Sequence, residues 1–278
     1  MNRRDMLLTA GAAALGLSTF PAKWLAAADA KKRTLLYFTR SAGFVHPMVD
    51  RHGKRLSKSE EIMIELGRKH GFEVVCSQDA KDLDGDLTPY DAIAFYTSGD
   101  ALSEKGKKNL LDAIHAGKGF VGIHSATDTF RLPGEAVDPY IAMIGGEFTT
   151  HESQQKTLMK VCSPKFPGVK GLGDGFTMLE EWYAFHKFSP DLHVILLQET
   201  AGMHDAVYQR PPYPATWARK HGDGRVFYTS MGHRDDVWTS PEFTQVLLGG
   251  LAWAFGDVEA DVKPNIAEVA PGANSLKN

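Results

Sequence analysis

The stretch Gly119-Phe120-Val121-Gly122-Ile123-His124-Ser125-Ala126-Thr127-Asp128 constrains this chain most. A continuous apolar run between glycines, ending in a polar turn, suits a central parallel strand covered on both faces. Ligands of open α/β sheets bind beyond the carboxyl ends of such strands. His124 and Ser125 therefore stand where an α/β enzyme keeps its chemistry. The plainer reading of the same residues is a capped turn whose histidine packs.

The sequence before this strand alternates. Residues 34–38 read as a first strand, running into a polar loop that carries His46. Residues 57–70 read as a helix, with Ser57 and Glu60 at capping-box spacing and Gly71 as the stop. Residues 74–76 and 92–96 read as further strands, and 103–116 as a second helix closed by Gly117. This order predicts a parallel sheet with helices on its faces. Right-handed crossovers then bring the loops bearing His46, Ser98 and His124 to one edge.

From Asp138 the pattern changes. It reads as a short helix over 139–144, an exposed turn over 147–152 and an alternating antiparallel strand over 157–161. A loop over 164–175, a buried strand over 194–197 and an irregular surface loop over 204–214 follow. Gly222-Asp223-Gly224, flanked by two apolar-rich segments, signals a hairpin. Ser240-Pro241 opens a helix that runs to residue 255. Residues 257–278 read as a loose tail.

With 278 residues, 43% of them hydrophobic, the chain can bury one large core. Its net charge of -3 gives no reason to expect nucleic acid or an anionic membrane as a partner. Arg3-Arg4, the small apolar residues 10–17 and two A-x-A sites at 26–28 and 28–30 read as a Tat-type export signal over 1–30. The expectation is a periplasmic or other extracytoplasmic protein with its domain over 31–256 and no membrane span once the signal is removed. Cys76 and Cys162 both close strand patterns and read as small buried residues, without a disulfide framework.

Four histidines fall after strands or in glycine-flanked turns: His46, His124, His151 and His233. Each alone can be structural. Together, in one cleft, they are the usual ligands of zinc or a similar divalent ion, with Glu181, Glu147 or Asp128 completing the shell. A metal-free alternative has a histidine moving a proton, oriented by Glu181 or Asp128. Gly122-Ile123-His124-Ser125-Ala126 resembles a nucleophile elbow shifted by one residue, with His124 in the nucleophile slot. His124, Glu181 and Asp128 are the candidate catalytic residues. Trp182, Tyr183, Trp217 and Trp238 are either sugar-stacking faces or core. His52, His70, His115, His186, His193, His204 and His221 read as structural or solvent-facing.

Five motifs together resemble the ThuA-like (trehalose utilisation) family: Gly43-Phe44-Val45-His46, the Gly122–Asp128 stretch, Gly145-Gly146-Glu147-Phe148-Thr149-Thr150-His151, Glu180-Glu181-Trp182-Tyr183, and residues 224–233 ending in Gly232-His233. The resemblance spans roughly residues 33–256. It implies an α/β, flavodoxin-like or class I glutamine amidotransferase-like three-layer sandwich, with a mostly parallel central sheet and an added antiparallel hairpin. His124 replaces the amidotransferase cysteine. The resemblance also implies carbohydrate metabolism, on 3-keto-glycosides or trehalose-related sugars, with sugar oxidoreductases of the same pathway as partners. A non-catalytic sugar-binding module using the same cleft is the alternative. Val45, where the family commonly has a polar residue, and the 204–214 segment are departures.

Overall fold

The computed structural model describes residues 32–275; the export signal expected over 1–30 lies outside the described residues. The strands are β1 (Arg33–Phe38), β2 (Phe72–Ser77), β3 (Ala92–Phe95), β4 (Gly119–Ile123), β5 (Glu147–His151), β6 (Gln155–Val161), β7 (Gly175–Glu180), β8 (Tyr183–His186), β9 (His193–Gln198), β10 (Tyr213–His221) and β11 (Gly224–Thr229). The helices are α1 (Lys58–His70), α2 (Lys81–Asp84), α3 (Glu104–His115), α4 (Pro139–Ile144), α5 (Asp235–Trp238), α6 (Pro241–Phe255) and α7 (Ile266–Val269).

Nine strands form one sheet in the order β2-β1-β3-β4-β11-β10-β9-β6-β7. The half from β2 to β11 is parallel, and the half from β11 to β7 is antiparallel at every step. Apolar cores lie on both faces, one packed by α1 and α6, the other by α3 and α4. The strand β4 explains why both layers come so close. A Cβ on Gly119 would stand 2.4 Å from the Ala254 carbonyl on α6, and one on Gly122 would stand 2.8 Å from Ile144 on α4. The expected three-layer, mostly parallel α/β sandwich with an antiparallel addition is therefore the observed one.

Local signals set the helix ends. Ser57 accepts from the Glu60 N–H while Glu60 reaches back to the Ser57 N–H, and Gly71 ends α1 at φ +83°. Ser240 caps α6 by accepting from the Phe243 N–H, with Pro241 at the first helical position.

Three readings are corrected. The 147–152 segment is no exposed turn: Glu147–His151 is β5, paired antiparallel with β8 in a small second sheet. Its β-branched Thr149 and Thr150 outweigh the polar composition that suggested a turn. The 204–214 segment is the irregular, largely exposed loop expected only up to residue 212, where β10 takes over, and it is anchored by Tyr208, which is fully buried; its hydroxyl accepts from the Glu152 N–H (3.0 Å) and donates to the Trp182 carbonyl (2.6 Å). The segment after Gly256 is not loose through residue 275: the Asn265 side chain accepts from the Val194 N–H (2.6 Å), and Ile266, Ala270 and Ala273 join the core. Cys76 and Cys162 are free and half-buried.

Candidate functional site

The carboxyl ends of β1, β4 and β11 share one edge because those strands are parallel. From β11 to β7 the chain direction reverses at each of four pairings, so β7 also ends at that edge. His46 follows β1, His124 follows β4, Glu181 follows β7 and His233 follows β11. Glu181 occupies the break where the chain leaves the large sheet at Glu180 and enters β8 at Tyr183.

His46, His124, Glu181 and His233 each offer a ligand atom, and these atoms lie within 4.8 Å of one another. The approach of these turns is tight. His124 takes a left-handed φ of +46°, a strained conformation for a residue with a side chain. Gly232, at φ +126°, passes Ile123 so closely that a Cβ would stand 3.1 Å from its side chain.

Hydrogen bonds determine which ring atoms face inward. The Ser230 carbonyl, which can only accept, takes a hydrogen bond from His124 Nδ1–H (2.8 Å), so Nε2 is the ring nitrogen that faces the group. His46 Nε2 is engaged by the Tyr183 hydroxyl (3.1 Å), which leaves Nδ1 inward. Glu181 Oε2 stands 3.3 Å from His124 Nε2 and 3.0 Å from His233 Nδ1. His46 Nδ1, His124 Nε2, Glu181 Oε2 and His233 Nδ1 are all buried without a hydrogen-bond partner.

Burial, together with the neighbouring His124 and His233, pushes His46 down to about 2, so its imidazole is neutral. Burial alone would raise the Glu181 carboxyl, but His124 and His233 outweigh it and hold it well below the usual carboxylate range. Glu180 points the other way along the strand and is fully buried. Its carboxylate accepts from the Glu181 (2.7 Å), Gly232 (2.9 Å) and His233 (3.1 Å) N–H groups, so one side chain ties β7 to the turn after β11. Burial raises its pKa, against the pull of His124 and those N–H donors.

The other candidates stand as follows. His151 lies at the mouth, with its side chain 41% exposed and Nδ1 3.5 Å from Glu181 Oε1, outside the inner four. Its ring stacks with that of Tyr183 at 5.9 Å. Asp128 lies beside the group, but its carboxylate is taken by Arg131 (2.5 Å); burial raises its pKa against the pull of Arg131, His124 and His151. Glu147 is elsewhere, buried between His186 (2.7 Å) and Lys187 (2.8 Å). Trp182, Tyr183, Trp217 and Trp238 are all in the core, so none presents a ring face to a sugar. Sequence reasoning gave Glu180 no role and read Tyr183 as a stacking face or core, missing its hold on His46. The adjacency of two glutamates at a strand end was the available signal, since alternation sends one inward and one to the cleft.

A mostly parallel α/β sheet with a buried imidazole–carboxylate group at its carboxyl edge places that group where open α/β sheets bind their ligands. The chain belongs to the ThuA (trehalose utilisation) family, whose sequence model matches residues 35–254. That family places it in carbohydrate metabolism. No curated protein matches it at a significant level. Among solved structures, a ThuA-like protein from Bacteroides uniformis is 18% identical, with a TM-score of 0.67 over 82% of this chain and 93% of that one. One from Parabacteroides merdae is 17% identical, with a TM-score of 0.62 over 84% and 93%. A β-galactosidase from Rahnella shares the fold over 31% of its own chain and 81% of this one, at 15% identity and a TM-score of 0.52.

Proposed function

We propose that this chain is a carbohydrate-active enzyme whose inner residues His46, His124, Glu181 and His233 hold a divalent metal ion. The observation that carries the reading is the convergence of four buried, unpaired ligand atoms. Leaving four such groups without partners is costly, at about 1–3 kcal/mol for each. A shared cation removes that cost. Three imidazoles and one carboxylate suit zinc or a similar ion, and bonds of about 2.1 Å would let one ion reach donor atoms about 3–4 Å apart. The spacings of 3.3 and 3.0 Å around Glu181 Oε2 fit that geometry.

When bound, the ion would polarise a keto or hydroxyl oxygen of the sugar, taken up as a ligand additional to the four protein donors. His124 is fixed in one tautomer by Ser230, and His46 is held by Tyr183, so neither turns away. His151, exposed at the mouth with Nδ1 toward Glu181 and the Glu152 carbonyl, moves a proton at Nε2. Asp128 holds Arg131 at the rim, where the guanidinium reaches a sugar hydroxyl. We propose 3-keto-glycosides or trehalose-related sugars as substrates, sugar oxidoreductases as partners in the pathway, and export through residues 1–30.

The test is elemental analysis of protein prepared without chelator, joined to turnover of a 3-keto-glycoside. About one ion per chain is expected, lost together with turnover in His124→Ala. Sugar binding without turnover would make the chain a binding module. Protein that takes up neither zinc nor manganese would end the metal reading. For export, replacing Arg3 and Arg4 by lysine should retain the precursor inside the cell; unchanged export would remove the Tat assignment.

A further inference from the structure

Phe44 is the most exposed large apolar side chain among the described residues, at 64%. It precedes the inner ligand His46 by two positions, and the two rings meet edge to face with centroids 4.9 Å apart. An exposed phenyl ring is unfavourable in water, and here it borders a cleft lined by His46, His124, Glu181 and His233.

Its loop is held firmly. Ser98 donates its hydroxyl to the Phe44 carbonyl (2.7 Å), and the Ser98 carbonyl accepts from the Ala42 (2.9 Å) and Gly43 (3.2 Å) N–H groups. Gly99, at φ +64°, allows this contact: a Cβ there would stand 2.7 Å from the Gly43 nitrogen. The ring is thus presented on a fixed backbone, which limits the ordering cost of using it.

The other aromatics around the cleft offer no free face. Tyr96, Tyr183 and Trp238 are buried, and Phe148 is packed between Tyr183 and the Arg131 guanidinium. A ligand that engages both the polar cleft and Phe44 needs hydroxyl groups along one edge and an apolar C–H surface on a face. A pyranose ring has that build.

We propose that Phe44 is the stacking platform of a pyranose subsite at the mouth of the cleft. The proposal rests on the carbohydrate reading above and adds the residue that grips the ring. The platform touches the sugar face rather than the reacting atoms, so it contributes equally to ground and transition states.

The experiment is calorimetric titration with trehalose and methyl glucoside of the wild type, Phe44→Ala and Phe44→Trp. Saturation-transfer NMR from aromatic protons to the sugar and metal analysis of each variant complete it. Phe44→Ala should weaken binding roughly tenfold, about 1.4 kcal/mol, and lose the aromatic transfer. Phe44→Trp should retain both, and metal content should not change. On a turned-over substrate, Phe44→Ala should raise KM and leave kcat unaltered. Undiminished affinity and transfer in Phe44→Ala would overturn the platform while leaving the metal cleft in place. Loss of metal in Phe44→Ala would also overturn it, making Phe44 a support for His46. If the metal-loaded wild type binds neither sugar, the platform falls, while the metal content still judges the cleft separately.

Discussion

Replacing Glu181 by glutamine should reverse the order of stability between metal-free and metal-loaded protein. In the metal-free cleft, Oε2 stands against two ring nitrogens, His233 Nδ1 at 3.0 Å and His124 Nε2 at 3.3 Å, without a well-formed hydrogen bond to either. A glutamine amide placed there donates to one of them, while its oxygen faces His151 Nδ1. Satisfying one buried pair is worth about 1 kcal/mol or more. For a domain of this size, that raises Tm by about 2–4 °C. With zinc at a hundred times its Kd, the wild type gains about 2.7 kcal/mol. The neutral amide is a poor ligand, and the variant forfeits most of that gain. Thermal melts of both proteins, in chelator and in zinc, give the readout. Glu181→Gln should melt above the wild type in chelator and below it in zinc. A variant that melts below the wild type in both conditions would refute the reasoning, since the carboxylate would then be holding protonated imidazoles rather than completing a metal shell.

Glu180→Ala should strand three buried N–H donors and lower stability by about 3 kcal/mol or more, together with zinc-dependent stabilisation; a wild-type urea midpoint would contradict the clamp. Lys187→Met should leave Glu147 partly uncompensated and free the carbonyls of Leu132 and Ala136 that Lys187 now engages. The expected cost is about 3–5 kcal/mol, with faster amide exchange confined to residues 130–137, and unchanged exchange there would show that Lys187 does not hold that segment. Burial, with Glu60 nearby, pushes the Cys76 thiol up to about 12. It should react slowly with iodoacetamide at pH 8, and the Cys76→Ser, Cys162→Ser double variant should keep activity; inactivation of that folded variant would make a thiol essential.

The parallel half of the fold and three of its histidines were legible because both signals are local. Apolar runs of strand length and glycine stops mark the elements, and the right-handed crossover rule then assigns the edge. His46 and His124 follow directly from those strands, whereas His233 was marked only by the glycine before it. The parts that were missed depend on distant partners. Nothing within residues 147–151 specifies pairing with Tyr183–His186, and the burial of Glu147 depends on His186 and Lys187. Tyr208 and Asn265 likewise find their hydrogen-bond partners across the chain. Trp182, Trp217 and Trp238 read as candidate platforms because composition does not reveal burial, whereas the exposure of Phe44 within Gly43-Phe44-Val45-His46 is set by the fold and not by that motif.

Glu181 joins the histidines for a reason of parity. The hairpin between β10 and β11 could be read from Gly222-Asp223-Gly224, but it supplies only one reversal of direction. The pairings of β9 with β10 and of β6 with β9 span long connections, and β6 with β7 closes the count. Four reversals restore the original sense, so β7 delivers its carboxyl end to the histidine edge. One strand fewer in the antiparallel half would put Glu180 and Glu181 at the opposite edge of the sheet. The small sheet of β5 and β8 then follows from the same break, because the chain turns at Glu181-Trp182 to enter β8 and sets Tyr183 behind His46 and His124. The carboxylate, the tyrosine that orients His46 and the glutamate that clamps the His233 turn thus come from a single exit of the chain from the large sheet.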